Sequence, residues 1–327
     1  MHRTFVLLLA ISSFAGFLPA EQTSLSGPIE GFTFDNPTGS FRAVIGFPGS
    51  AQLGPAILSG FGNGFVAPQK DYGLAFSDSQ SLFVTGLSSG PSASPLSAVV
   101  DRPEDIAWSG DGSFGILFSR SGNWIQTLGG LPNSPSAAAS TDLSYLGGSL
   151  SAVGVDSTGK RIAIGMAGDS GGVYLITSGG SPISVLAGSK PIALAFSGDG
   201  GALYVLDGST LQLTAVQLAD LTTQTLSFDG LADPVGIKLA RDAANRAVLY
   251  VAGRKDSLLR TYDLSSFQIL TDTPLDFPPS EIMDFGRNSF LLAPRATDSS
   301  PLWLFTSAPQ QAVYFVPAAP AALGGPQ

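Results

Sequence analysis

Gly168-Asp169-Ser170-Gly171-Gly172 has the sequence of a serine nucleophile loop. A serine attacks only if a base takes its proton, and the chain's single histidine is His2, inside an apparent leader. The segment also reads as the Gly/Asp/Ser turn between two strands. Gly154, Gly159 and Lys160 reproduce the spacing of a phosphate-binding loop, but Arg161 stands where Ser or Thr must hold magnesium. The lysine leads into the apolar strand RIAIGMA rather than into a helix whose N-terminal amides would cradle phosphate. Both motifs are coincidences of turn chemistry, so no catalytic residue and no cofactor-binding residue is assigned.

Metal chemistry is narrowed by composition. With no cysteine and only His2, zinc, copper and haem sites would need unusual ligands. Calcium, which takes oxygen ligands only, is the one metal left open, and its ligands are unknown because no EF-hand spacing occurs. Asp111 and Asp199 lie in Ser-Gly-Asp-Gly stretches, where tight-turn hydrogen bonding is the leading reading. The Asn-Pro-Thr at Asn36 is blocked as a glycosylation acceptor by Pro37. Trp108 belongs to an apolar core strand. Trp124 and Trp303 fall on outer strands, where packing between layers is favoured over holding a sugar ring.

The elements that position these residues follow a repeat. PEDIAWSGDGSFGILFS, LSAVGVDSTGKRIAIGMAG, PIALAFSGDGGALYVLDGS, PVGIKLARDAANRAVLYVAGR and PSEIMDFGRNSFLLAPR share one grammar: an apolar strand, a polar Gly/Asp turn, a second apolar strand. A weaker copy, NGFVAPQKDYGLAFSDS, precedes them. The apolar residues before the turns, Ala67, Trp108, Val155, Phe196, Leu239 and Phe285, recur at intervals of 41 to 47 residues. Two further, more polar strands follow each pair, as in GGVYLIT and PISVLAG. Four strands at this period make a propeller blade. The fold class is therefore all-β: a single β-propeller of six or seven four-stranded blades. Seven is favoured, with the extra pair IEGFTFDN and SFRAVIGF as a partial N-terminal blade resembling the outer half of one, or as ring closure. A composition of 40 Gly and 23 Pro in 327 residues, with a mean hydropathy of +0.27, agrees with many short strands and an ample apolar core.

The phrases IALAFSGDGGALYVLDGS and VGIKLARDAANRAVLYVAGR resemble the blades of secreted bacterial propellers of the NHL and YVTN/lactonase-like kind. The Trp-Asp and Gly-His dipeptides of WD repeats are absent. The resemblance implies architecture above all. It leaves a binding or protein-interaction module and a lactonase-like hydrolase or sugar dehydrogenase, using carboxylates with or without calcium, as the two function classes. The binding module is favoured, because lack of histidine weakens general-base chemistry near neutral pH.

Residues 1–20, with His2 and Arg3 before FVLLLAISSFAGF and then Leu18-Pro19-Ala20, read as a signal peptide too short for a comfortable membrane span. Residues 21–62 form the N-terminal strand pair, 63–317 the blades, and 318–327 a low-complexity tail expected to be disordered. The protein is expected to be secreted or periplasmic, monomeric and without a membrane span after cleavage, with an extracellular protein or glycan as partner. A formal charge of −9 makes nucleic acid a poor partner.

Charge sorts by face. In a propeller the connections between blades and the turns between second and third strands share one face. There acids outnumber bases, whereas the opposite face is balanced. Asp101, Asp105, Asp169, Asp233 and Glu281 are the acids of this face whose loops reach the channel, and they are the candidates for holding a cation. Charge for solubility is the competing explanation.

Overall fold

The computed structural model describes residues 27–318 except 100, 101, 178, 179, 189, 228, 229 and 287. Residues 1–20, read from the sequence as a signal peptide, the tail from 319 onward and the candidate Asp101 therefore lie outside the described residues.

Seven antiparallel sheets follow one another along the chain. Blade I holds β1 (Ile29–Asp35), β2 (Ser40–Ile45) and β3 (Gln52–Ser59). Blade II holds β4 (Asn63–Val66), β5 (Tyr72–Phe76), β6 (Ser81–Thr85) and β7 (Ser92–Pro95). Blade III holds β8 (Asp105–Trp108), β9 (Gly115–Ser119), β10 (Trp124–Gly129) and a broken outer strand, β11 (Ser136–Ala137) and β12 (Thr141–Asp142). Blade IV holds β13 (Ser149–Val155), β14 (Arg161–Ala167), β15 (Gly172–Thr177) and β16 (Ile183–Ala187). Blade V holds β17 (Pro191–Phe196), β18 (Ala202–Asp207), β19 (Gln212–Gln217) and β20 (Thr223–Ser227). Blade VI holds β21 (Pro234–Arg241), β22 (Ala247–Gly253), β23 (Leu258–Asp263) and β24 (Ile269–Pro274). Blade VII holds β25 (Met283–Asp284), β26 (Ser289–Ala293), β27 (Leu302–Thr306) and β28 (Ala312–Val316). The result is the seven-bladed β-propeller favoured by the repeat, with a partial blade I of three strands among the described residues.

Burial follows position in the blade. Second strands are covered on both faces by neighbouring blades and paired on both edges, so β5, β9 and β18 are buried throughout. Outermost strands such as β7 and β20 are mostly exposed and correspondingly polar. The core is a ring of interblade layers. One apolar cluster, with Tyr72, Leu74, Ile106 and Leu117, joins blades II and III, and others join each successive pair. Phe34 and Phe41 join I to II, while Val44 and Leu53 meet Phe285 and Leu304 where I meets VII. Trp124 is buried between II and III as expected. Trp303 stacks on Phe277 at 4.2 Å between ring centroids, which uses its face for packing.

Blade I differs from the expectation of a strand pair, because β3 adds a third strand. The β1–β2 turn places Asp35 beside Arg295, which follows the second strand of blade VII. β1 thus runs like a second strand, so β1 to β3 are the outer three of a blade, consistent with the outer-half pattern of IEGFTFDN and SFRAVIGF. Proline at position 55 and glycine at 54 hid β3 in the sequence, since proline is tolerated only at an edge.

Candidate functional site

On the face opposite the interblade connections, the recurrent aspartates build turns. The Asp111 carboxylate accepts from the Ser109 hydroxyl at 2.7 Å and from the Ser113 amide at 3.0 Å. Asp199 accepts likewise from the Ser197 hydroxyl at 2.6 Å and the Gly201 amide at 2.9 Å. Asp156 takes the Lys160 amide at 3.0 Å and the Arg161 guanidinium at 2.9 Å, while Gly159, at φ +69°, supplies the left-handed turn residue. Gly154, Gly159 and Lys160 therefore frame a β-turn. Ser170 is exposed in the β14–β15 turn, and the described residues contain no histidine to serve it.

The acidic face is less uniform. Glu104 holds the turn after β9, accepting from the Ser119 hydroxyl at 3.0 Å and the Arg120 amide at 2.9 Å. The Ser121 hydroxyl contributes most to keeping its carboxyl below the usual range. Asp207 ends β18 and accepts the Lys190, Ser209 and Thr210 amides at 2.5, 2.8 and 2.8 Å. Burial opposes its ionisation, but these amides and the Ser209 hydroxyl outweigh burial and bring its pKa down to about 2. Because that value lies below the unfolded one, the stabilisation is present above pH ~4 and is lost as pH falls toward ~2. Asp207→Asn should cost roughly 2 kcal/mol at neutral pH and little near pH 2, as read by urea unfolding at both values.

Of the channel candidates, Asp169 is exposed and Asp233 sits 3.5 Å from Arg254 with half of each side chain in solvent. Neither joins a cluster. Asp105 and Glu281 act on one another electrostatically. Asp105 begins β8, the innermost strand of blade III, and Glu281 precedes β25, the innermost strand of blade VII, on the far side of the ring. Asp105 pairs with the Arg120 guanidinium at 3.0 Å, and Arg120 also donates to the Ser151 carbonyl at 3.3 Å and lies over the Phe118 ring. The Glu281 amide donates to the Leu292 carbonyl at 3.2 Å. Its carboxyl has no hydrogen bond or ion pair among the described residues, and the residue is partly buried. Burial first, and the charge of Asp105 second, push its pKa up to about 7.

The sequence assigned these two acids to the right face and the right end of an inner strand. It could not single out Glu281 from its neighbours, because isolation of a carboxyl depends on what lies across the ring. No group of three or more Asp, Glu or His side chains suited to a metal ion occurs among the described residues. No helix among them is long and apolar enough to cross a membrane.

No family model and no curated protein matches the chain. Solved structures do match its shape. A functionally unknown protein from Desulfotomaculum acetoxidans aligns with a TM-score of 0.62 at 11% identity, over 88% of this chain and 99% of that one. A candidate 6-phosphogluconolactonase from Bacteroides fragilis aligns with a TM-score of 0.58 at 14% identity, over 89% and 94%. The dihydro-heme d1 dehydrogenase NirN, in complex with DHE, aligns with a TM-score of 0.58 at 11% identity, over 93% of this chain and 67% of its own. At these identities the likeness is one of fold.

Proposed function

We propose that the chain is a secreted or periplasmic binding module of the NHL and YVTN-like propeller kind, taking an extracellular protein or glycan at the channel mouth on its acidic face. Export rests on residues 1–20. The observation that carries the binding role is the Glu281 carboxyl, partly buried, without a hydrogen bond or ion pair among the described residues, and held back from ionising by burial and the charge of Asp105. Such a group costs stability above neutral pH, because its charged form is disfavoured in the folded chain. A ligand that neutralises it removes the cost.

Thermal melting of the whole protein against extracellular glycans and peptides tests the reading. A true ligand should raise Tm in proportion to the logarithm of its concentration, and Asp105→Asn combined with Glu281→Gln should abolish the rise. Melting unaffected by every ligand, or a rise that survives the double substitution, would remove the mouth as the site.

A second reading is favoured by one feature. A carboxyl that titrates near neutrality under the influence of a second carboxylate has the makings of a general acid, as hydrolysis of a lactone or glycoside requires. The lactonase-like shape neighbour lends this only a likeness of fold. Turnover of lactones or glycosides, assayed with and without calcium and lost in Glu281→Gln, would replace the binding module by an enzyme.

A further inference from the structure

We infer that the inner edge of blade I receives the chain that continues past β28: residues 320–325, Pro-Ala-Ala-Leu-Gly-Gly, lie antiparallel along β1 as the first strand of that blade. The inference is independent of any ligand on the acidic face.

The free edge is the first argument. Among the described residues β1 pairs with β2 alone, whereas every other second strand is paired on both edges. β1 lies against β4, the first strand of blade II, as β14 lies against β17. An open groove of about 400 Å³ adjoins it, walled by Ile29, Gly31 and Phe32 of β1, by Ala67 and Lys70 of the β4–β5 turn, and by Phe285 after β25. These walls are β1 and the ends of the first strands of the two neighbouring blades, the boundaries that a first strand of blade I would have. An unpaired edge leaves alternate backbone groups without partners and accepts an extended segment.

Chain order is the second. Each first strand follows directly on the outermost strand of the preceding blade. β28 is the outermost strand of blade VII, so the chain after it leads to the inner edge of blade I. Pro191 comes four residues after Ala187, the end of β16, and Pro320 comes four residues after Val316, the end of β28.

Residue pattern is the third. Pro103, Pro191, Pro234 and Pro279 open or precede first strands and have an aliphatic residue three places on: Ile106, Leu194, Ile237 and Ile282. Pro320 and Leu323 repeat this, with proline at a strand's first residue, where its missing amide is tolerated. In blades V and VI the proline pairs with the last residue of the second strand and a bulge follows it, which sets Leu194 opposite Val205 and Ile237 opposite Val251. Asp35 and Ser40 close a turn of the same length as Asp207 and Gln212, so Asp35 is the counterpart of Asp207. The same register sets Leu323 opposite Thr33 and Gly325 opposite Gly31. Residues paired across strands share a face. A Cβ on Gly31 would sit 2.8 Å from the Phe285 ring, so its partner must also lack a side chain, as Gly325 does. The small residues that make the segment low in complexity are those the groove admits.

Hydrogen exchange on the whole chain is the test. The amides of β1 should be protected as well as those of β18, and deletion of residues 319–327 should speed β1 exchange at least tenfold while leaving β18 unchanged. Leu323→Asp, which sets a charge against β25, should have the same effect without shortening the chain. β1 exchange that neither change alters overturns the inference, whether the edge is open throughout or covered by another segment or a partner. Should the shortened chain not fold, a disulfide decides. The protein has no cysteine, so Thr33→Cys with Leu323→Cys can form a single bridge, and Cα atoms of paired antiparallel residues, about 4.5–5.5 Å apart, are within its reach. Peptide mapping should find that bridge within one molecule. Its absence, or a bridge between two molecules, which would mean that the segment seats on a second copy, also overturns the inference.

Discussion

Glu281→Gln should raise the melting temperature by about 6 °C at pH 8 and by almost nothing at pH 4. The folded protein holds the Glu281 carboxyl near pKa 7, above its ordinary value of 4.5, because burial and then Asp105 disfavour the charged form. As pH rises past ~4.5 the unfolded chain ionises this group while the folded chain retains the proton. The folded state therefore loses stability relative to the unfolded one until pH ~7, and the loss is constant above that. A gap of this size corresponds to about 3 kcal/mol, at 1.36 kcal/mol per pKa unit. Glutamine keeps the shape and carries no charge, so it removes the loss wherever the loss exists. In a chain of this length about 2 °C accompanies each kcal/mol. Scanning calorimetry of both proteins from pH 4 to pH 8 gives the difference curve directly. A curve that is flat across the range would mean that Glu281 is not isolated, and would weaken the case for the mouth as a ligand site.

A stabilising substitution at a single residue is informative because it identifies a place where the sequence gives up stability. Such places concentrate where groups are held for a ligand. Elsewhere on the same face the acids serve the fold: Glu104 and Asp207 bind turn amides, and Asp256 accepts the Ala232 amide. The acidic excess visible in the sequence thus has several origins. Whether a given acid caps a turn is local information, recoverable from Ser or Thr two or three residues away, as with Asp207 and Ser209. Whether it faces another acid across the ring is not local. The charge of Asp105 reaches Glu281 only because the fold arranges blades III and VII around one channel.

The blades themselves were legible because their physics repeats. Each inner strand meets the same two neighbours, so Trp108, Val155, Phe196 and Leu239 occupy equivalent first-strand positions and show the period. Blade I lacks the first-strand phrase among the described residues and carries Gly54 and Pro55 in its third strand, so nothing marked its extent. The turn aspartates Asp111 and Asp199 were legible for the same reason as the blades, since one turn geometry recurs. The segment around Ser170 reads in the sequence as a turn between two strands, and it is an exposed turn between β14 and β15. The contact that joins the two ends of the repeat was invisible, because it pairs residues at opposite ends of the chain.

That contact predicts the largest loss of stability in the molecule. Asp35, whose side chain is fully buried, lies 3.0 Å from Arg42 and 2.7 Å from Arg295, itself 5% exposed. Arg295 Nη1 reaches both carboxylate oxygens, and the Thr38 hydroxyl donates to the same group at 2.6 Å. Blade I and blade VII therefore share one buried carboxylate between two guanidinium groups, at the point where the ring closes. Asp35→Asn keeps the size of the side chain but leaves two buried cations facing a neutral amide. Removing one partner from such a group costs about 3–5 kcal/mol, because the desolvation of the remaining charges is no longer offset. The midpoint of urea unfolding should fall accordingly, and amide exchange should rise first in β1 and β26, the strands that flank the pair, before it rises in blades III to V. Adding Arg295→Met to Asp35→Asn should recover part of the loss, since it withdraws one of the stranded charges, and a double-mutant cycle measures the coupling. A cost below 1 kcal/mol for Asp35→Asn, or exchange that rises uniformly around the ring, would show that the apolar contacts of Val44, Leu53, Phe285 and Leu304 close the propeller without this ion pair.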